Sequence, residues 1–92
     1  MPSRVAIDPW NTALQSLQVA RHNLYDIYPN LGIANDLLER CASLLQIALE
    51  NCKIPSQDQY ALVKEQLQTV TCDLLNFSDS TETQRVAYLH RR

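Results

Sequence analysis

The side chains that could carry metal chemistry are few and far apart. The chain has two histidines, His22 and His90, which lie near opposite ends of its 92 residues. Neither belongs to an HxxxH or HExxH pattern, and neither has a cysteine close by in sequence, so the spacing that metal sites require is missing. We predict no metal site and no cofactor.

The three cysteines are the only thiols available for nucleophilic or redox chemistry. Cys41, Cys52 and Cys72 form no CxxC pair, and each falls on or beside the apolar stripe of a predicted helix. Free cysteine on such a stripe behaves as a small apolar side chain. A catalytic thiol would need a neighbouring base, and nothing in the sequence singles out a pair such as Cys72 with His22.

The acidic pairs and the single glycine do not have the pattern of an active site either. Asp36 with Glu39, and Glu65 with Asp73, fall at predicted helix ends or on faces that should be solvated, where acidic side chains serve as surface charges. One glycine cannot form a phosphate-binding loop. We therefore predict no catalytic residues and a protein that is not an enzyme.

The charge and hydropathy of the chain exclude two classes of partner. The net charge is −2, and the eight lysines and arginines are mostly scattered, whereas nucleic-acid binding requires clustered cations. No apolar run approaches the roughly 20 residues that cross a bilayer. The N-terminal residues lack the apolar core of a secretory signal. We expect a cytoplasmic protein that binds neither nucleic acid nor membrane.

The periodicity of the apolar residues predicts an all-α fold in a single domain, 1–92. We predict helices over about 9–23, 34–51 and 57–77, followed by a tail, 78–92, that is either a short helix or disordered. The third stripe has heptad spacing. Its members are Tyr60, Val63, Leu67, Val70, Leu74 and Phe77.

Capping residues support the predicted helix starts. Asp8 precedes Pro9, which suits an N-cap followed by proline at the first helical position. Ser56, with Gln59 three residues later, has the spacing of a capping box. Because the second and third helices are separated by a short link, we expect them to form an antiparallel hairpin, braced by the first helix in a small bundle.

The segment YDIYPNLGI, residues 25–33, interrupts the helical pattern. Its alternating apolar residues, and a tyrosine placed directly before Pro29, favour extended chain. Gly32 is expected to adopt a positive φ that turns the chain into the second helix. The segment therefore suggests a structural corner between helices, with a ligand-binding loop as the alternative.

Part of the chain resembles a known family. The segment LYDIYPNLGIANDLLERCASLL is similar to the opening of a family of small, functionally uncharacterised helical-hairpin proteins of Gram-negative bacteria, and the likeness extends over about 24–75. The resemblance implies a helical hairpin and no chemistry. The matching positions are Tyr25, Ile27, Pro29, Asp36, Leu38, Ala42, Ser43, Leu44 and Leu45.

The apolar surface is larger than one small core needs. The predicted second helix is apolar over about half of its circumference, and leaving large apolar side chains exposed is costly for a small domain. Either the first helix and the corner close the core of a monomer, or two chains pair; we favour a homodimer.

We therefore predict a non-enzymatic protein-protein interaction module, a small adaptor or regulator acting through an apolar helix face. The alternative is a helical chaperone that stabilises a partner subunit, since PSQDQYALVKEQLQ resembles the second helix of type III secretion chaperones. The predicted partner-binding residues are Trp10, Tyr25, Ile27, Tyr28, Leu37 and Leu44.

Overall fold

The computed structural model describes residues 8–78, which form three α-helices and no strand. The helices are α1, Pro9–Leu24; α2, Leu31–Glu50; and α3, Gln57–Ser78. The predicted all-α class is confirmed, and within this part of the chain no helix is both long and apolar enough to cross a bilayer. The prediction for the tail beyond Ser78 lies outside the described residues.

The start of α1 follows the predicted cap. The carboxylate of Asp8 accepts hydrogen bonds from the backbone N–H groups of Trp10, at 3.0 Å, and Asn11, at 3.2 Å. Its second oxygen accepts a hydrogen bond from the side-chain amide of Asn11 at 2.8 Å. Pro9 occupies the first helical position, where a missing N–H costs nothing. The cap thus satisfies donors that a helix start would otherwise leave unpaired.

The start of α2 differs from the prediction. The helix begins at Leu31 rather than near residue 34, because Asn30 supplies an N-cap whose side-chain oxygen accepts a hydrogen bond from the N–H of Ile33 at 3.1 Å. Gly32 therefore lies in the first turn of α2 and does not adopt a positive φ. The expected role of Gly32 is wrong, since a polar cap, and not a left-handed glycine, starts this helix.

The most extensive helix contact is between α1 and α2. A link of six residues, 25–30, joins them, so they run side by side in opposite directions. The contact of α2 with α3 is smaller, and that of α1 with α3 is the smallest. The hairpin expected from the second and third helices is thus present, but the first two helices form the tighter pair.

Small side chains at seven-residue intervals explain why α1 and α2 pack so closely. Ala13 and Ala20 on α1, and Ala34, Cys41 and Ala48 on α2, are all 0% exposed. Small residues at a helix contact let the two backbones approach, and the seven-residue repeat keeps them in line with the partner helix. Larger apolar residues fill the space between them. These are Leu17, Leu24, Leu38 and Leu45.

The α3 helix adds its heptad stripe to this core. Val63, Val70, Leu74 and Phe77 are buried, and the two remaining stripe positions are partly buried against the core. At the start of α3, the hydroxyl of Ser56 accepts a hydrogen bond at 3.1 Å from the backbone N–H of Gln59, the third residue of the helix. The predicted stripe and cap of this helix are therefore confirmed.

The C-terminal cap of α2 has a cysteine at a position where glycine is usual. The N–H of Lys53 donates to the carbonyl of Ala48 at 2.7 Å, and the N–H of Cys52 donates to the carbonyl of Leu49 at 3.2 Å. These two bonds form a Schellman motif, whose left-handed position normally holds glycine. Here that position holds Cys52, with φ of 56°, the one non-glycine residue with positive φ in the described chain.

We predict that Cys52→Gly stabilises the protein by about 0.5–1 kcal/mol, because glycine adopts this conformation without the steric cost that a side chain incurs. Urea denaturation monitored by circular dichroism measures the change. Cys52→Ala is the matched control and should leave the free energy of unfolding within about 0.5 kcal/mol of the original, since it removes the thiol but keeps the strain. Equal effects of the two substitutions would contradict this explanation.

Candidate protein-binding surface

Residues 8–78 hold no cluster of side chains suited to a metal ion. They contain no group of three His, Cys, Asp or Glu side chains that could hold a metal ion. His22 lines a shallow recess with Gln18, Arg21 and Tyr25, and the exposed Cys72 is not among the residues that line it. The pair Cys72 and His22 is therefore not brought together at this recess.

A second recess, of about 250 Å³, lies between the end of α1 and the middle of α3. It is lined by Arg21 and Tyr25 on the first side and by Glu65, Gln66, Thr69 and Val70 of α3 on the other. Its charged groups are one arginine and one glutamate, Glu65, and it contains no cysteine, histidine or serine. The hydroxyl of Thr69 in this lining donates to the backbone carbonyl of Glu65 at 3.1 Å, and the lining contains no histidine that could activate it as a nucleophile.

Tyr25 connects the end of α1 to α3 and is largely a structural residue. Its hydroxyl donates a hydrogen bond to the carboxylate of Asp73, and its ring meets Phe77 edge-on, with ring centroids 6.2 Å apart and an interplanar angle of 84°. Asp73 is only 6% exposed. The expectation that Asp73 is a solvated surface charge is therefore wrong, because the tyrosine brings the carboxylate into the bundle.

We predict that Tyr25→Phe lowers the free energy of unfolding by about 1–3 kcal/mol, because it removes a hydrogen bond to a buried charged group while keeping the ring contact with Phe77. Tyr28→Phe is the matched control, since the Tyr28 side chain is 79% exposed, and it should change stability by less than about 0.5 kcal/mol. Chemical denaturation compares the two. A Tyr25→Phe protein as stable as the control would remove the structural role of this contact.

The cysteines divide into one buried and two exposed thiols. Cys41 is 0% exposed in the seam between α1 and α2, whereas Cys52 and Cys72 are exposed. The expectation of an apolar packing role thus holds for Cys41 alone. Burial raises the pKa of the Cys41 thiol from 9.0 to about 11, because the thiolate would lose its hydration there. A neutral thiol is a poor nucleophile, so this cysteine should be chemically inert.

We predict that a thiol reagent at pH 8 modifies two cysteines of the folded chain rapidly and the third, Cys41, only on unfolding. The unfolded chain releases the Cys41 proton near pH 9.0, whereas the folded chain keeps it until about pH 11. This group therefore lowers the free energy of unfolding as the pH rises from 9 to 11 and leaves it unchanged below pH 9. Cys41→Ala should retain the two fast thiols and lose that part of the alkaline destabilisation. Rapid labelling of all three cysteines in the folded chain would contradict the burial of Cys41.

The predicted partner-binding residues separate into three groups. Ile27 and Tyr28 form an exposed corner patch between α1 and α2, with 51% and 79% of their surfaces exposed. Leu37 and Leu44 are partly buried at the edge of the core. Trp10 and Tyr25 are also partly buried, and both pack against the core, so they contribute less free surface than expected.

The outer side of α2 extends this surface beyond the predicted residues. Ile33 and Ile47 are 46% and 45% exposed. They continue the register of the two partly buried leucines at spacings of four and three residues, with an arginine at the centre. We call this set the outer stripe; its members are Ile33, Leu37, Arg40, Leu44 and Ile47.

The outer stripe forms one wall of a shallow groove between α1 and α2. Leu37 and Arg40 line the groove from α2, and α1 contributes Thr12, Gln15, Ser16 and Val19. Val19 is 46% exposed. The heptad spacing from Leu37 and Leu44 could have identified the two isoleucines from sequence. No local pattern indicates Val19, because its position depends on how α1 lies against α2.

The sequence that contains the corner patch carries exposed acidic residues. Asp26, Asp36 and Glu39 are exposed, and the sequence from Asn23 to Glu39 contains no lysine or arginine. No family model, curated protein or solved structure matches the chain.

Proposed function

We propose that this chain is a non-enzymatic protein-interaction module that binds another polypeptide through the corner patch and the adjoining part of α2. The observation that carries the proposal is the distribution of exposed apolar side chains. Of the seven large ones in residues 8–78, five lie on α1, the corner or the outer side of α2. These five are Val19, Ile27, Tyr28, Ile33 and Ile47.

The proposal is supported by the fact that the core is filled without these side chains. Leu24 and Leu45 are fully buried beside the alanines of the seam, so the exposed residues are not needed to complete the fold. Covering apolar surface releases roughly 25 cal/mol per Å², and an exposed apolar group with a polar rim is typical of a protein-binding surface. The corner patch also carries a tyrosine, a residue type enriched at interfaces.

The charge around the corner indicates the chemistry of the partner. Asp26 directly precedes Ile27, and Asp36 and Glu39 are exposed on the helix that follows, whose first cation is Arg40. The partner that fits is a polypeptide segment with apolar side chains flanked by lysine or arginine, and not a nucleic acid. As part of the same proposal, the module acts in the cytoplasm.

A chaperone that stabilises a partner subunit is the competing function. The close packing of α1 on α2, with several seam residues 0% exposed, favours an adaptor that folds before it meets its partner. A protein that is unfolded when purified alone and acquires helical circular dichroism only with a partner would favour the chaperone instead.

We predict that Ile27→Ser together with Tyr28→Ser reduces partner capture at least tenfold without unfolding the chain, because both side chains are largely exposed. The measurement is cross-linked capture of the tagged chain from its native extract, with quantitative mass spectrometry of the captured proteins. The matched control is Leu62→Ser, which removes a 53% exposed apolar side chain from α3. Capture of the partner should fall with the corner variant and persist with the Leu62→Ser control. Capture by the original chain should weaken at high salt.

Two results would refute the proposed function. One is a set of captured proteins that is the same for the corner variant and the original chain. The other is an equal loss of capture with Leu62→Ser, which would indicate general stickiness of exposed apolar groups and not a specific surface.

A further inference from the structure

The five residues of the outer stripe have the same order of residue types in both directions about Arg40. Starting from Arg40, a leucine lies three residues before it and another four residues after it, and an isoleucine lies seven residues away on each side. The order along the helix is therefore Ile33, Leu37, Arg40, Leu44 and Ile47. An adaptor surface for an unrelated partner has no need of this symmetry.

A palindromic helix face is self-complementary when two copies meet antiparallel. In a twofold-symmetric pair, the same patch covers itself, so each residue before the axis meets one after it. With the axis at Arg40, Ile33 lies opposite Ile47 of the second copy, and Leu37 lies within one residue, about 1.5 Å of rise, of the level of Leu44 of the second copy. The isoleucine layers then match in position and the leucine layers match to within one residue, along about 21 Å of helix at 1.5 Å per residue.

We propose that a second copy of this chain covers the outer stripe, with the two α2 helices antiparallel about a twofold axis at Arg40. The inference rests on the proposed function in one respect, that this apolar surface exists to bind protein. It adds the identity of the molecule that covers the α2 part of the surface. The groove lined by Thr12, Gln15 and Val19 then provides the flank against which the second copy packs.

The charged residues of the stripe fit this arrangement. Arg40 and Asp36 are both exposed, and neither has an ion pair or side-chain hydrogen bond with another residue in the described part of the chain. Asp36 precedes Arg40 by one helical turn. Across the axis, each guanidinium therefore reaches the Asp36 carboxylate of the second copy, and two such pairs offset the approach of the two arginines.

This pairing leaves the corner patches available. Ile27 and Tyr28 precede Ile33, the first residue of the paired stripe, so they lie beyond the N-terminal end of the helix contact. The dimer consequently presents two corner patches, one at each end, for the basic apolar partner. Self-association then covers Ile33, Ile47 and Asp36, and it leaves Ile27 and Tyr28, with Asp26 beside them, as the part of the surface that binds the partner.

The first test is the mass of the full chain in solution, measured by sedimentation equilibrium from 1 to 100 µM. We expect a dimer for the original chain. Arg40→Asp and Asp36→Arg should each weaken the dimer at least tenfold, because like charges then meet across the axis. The double variant, Arg40→Asp with Asp36→Arg, should restore it. Circular dichroism separates loss of pairing from loss of folding, since both side chains are exposed.

The second test fixes the register by disulfide cross-linking in a chain whose exposed thiols are removed by Cys52→Gly and Cys72→Ser. Ile33→Cys with Ile47→Cys should form an intermolecular disulfide on oxidation, because these positions face each other. Ile33→Cys alone is the matched control and should cross-link at least tenfold more slowly, since its two copies are then about 21 Å apart along the axis.

A monomer at 100 µM would overturn the inference, as would a dimer that is indifferent to both charge reversals or a cross-link as fast from the single cysteine as from the pair. None of these results bears on the proposed function, which is tested by capture of a partner through Ile27 and Tyr28. Conversely, a palindromic dimer whose capture is unaffected by the corner variant would refute the partner-binding proposal and leave this inference standing.

Discussion

The close contact between α1 and α2 is the interaction on which the rest of the structure depends. Alanine or cysteine at every seventh position lets two backbones approach, and leucines on either side of this seam fill the remaining volume. A chain of this size buries a modest core, so it gains most by packing one pair of helices tightly. The third helix then needs to cover only what that pair leaves open.

The small contact between α1 and α3 follows from the same packing. Since α2 lies against both neighbours, α3 meets α1 mainly near the corner, where Tyr25 joins Asp73 and Phe77. A single aromatic residue with a polar end can bridge such a gap, because its ring packs while its hydroxyl satisfies a buried carboxylate. The corner thus links all three helices, and its neighbours Ile27 and Tyr28 remain free to face outward.

The helices could be predicted from sequence because their signals are local. Caps at Asp8 and Ser56 and the heptad stripe of α3 depend on residues within a few turns of one another. Gly32 misled the prediction because glycine permits a positive φ but does not require one, whereas Asn30 supplied an ordinary cap. The left-handed Cys52 carried no local signal, since its conformation is set by the backbone bonds that close the end of α2.

The candidate surface was predictable only in part, for a related reason. Leu37 and Leu44 stood out as an apolar excess on α2, but which flank of the helix remains exposed depends on where α1 and α3 lie. Trp10 and Tyr25 were expected on the surface for their size, yet large rings in a small bundle are also the best fillers of its edges. The likeness to a Gram-negative hairpin family remains a prediction, as does the absence of catalysis.

The position of Arg40 constrains what the outer stripe can be. A stripe that served only as the edge of the core would be expected to continue the apolar pattern through its centre, since burying another leucine would add stability. A charged residue there weakens non-specific apolar association, and the flanking pairs of leucine and isoleucine still favour one register. Polar residues within otherwise apolar helix contacts commonly fix orientation and number of chains at some cost in affinity. In the proposed dimer, Arg40 therefore marks the centre of the stripe, and the like residues on its two sides favour self-pairing over general apolar association.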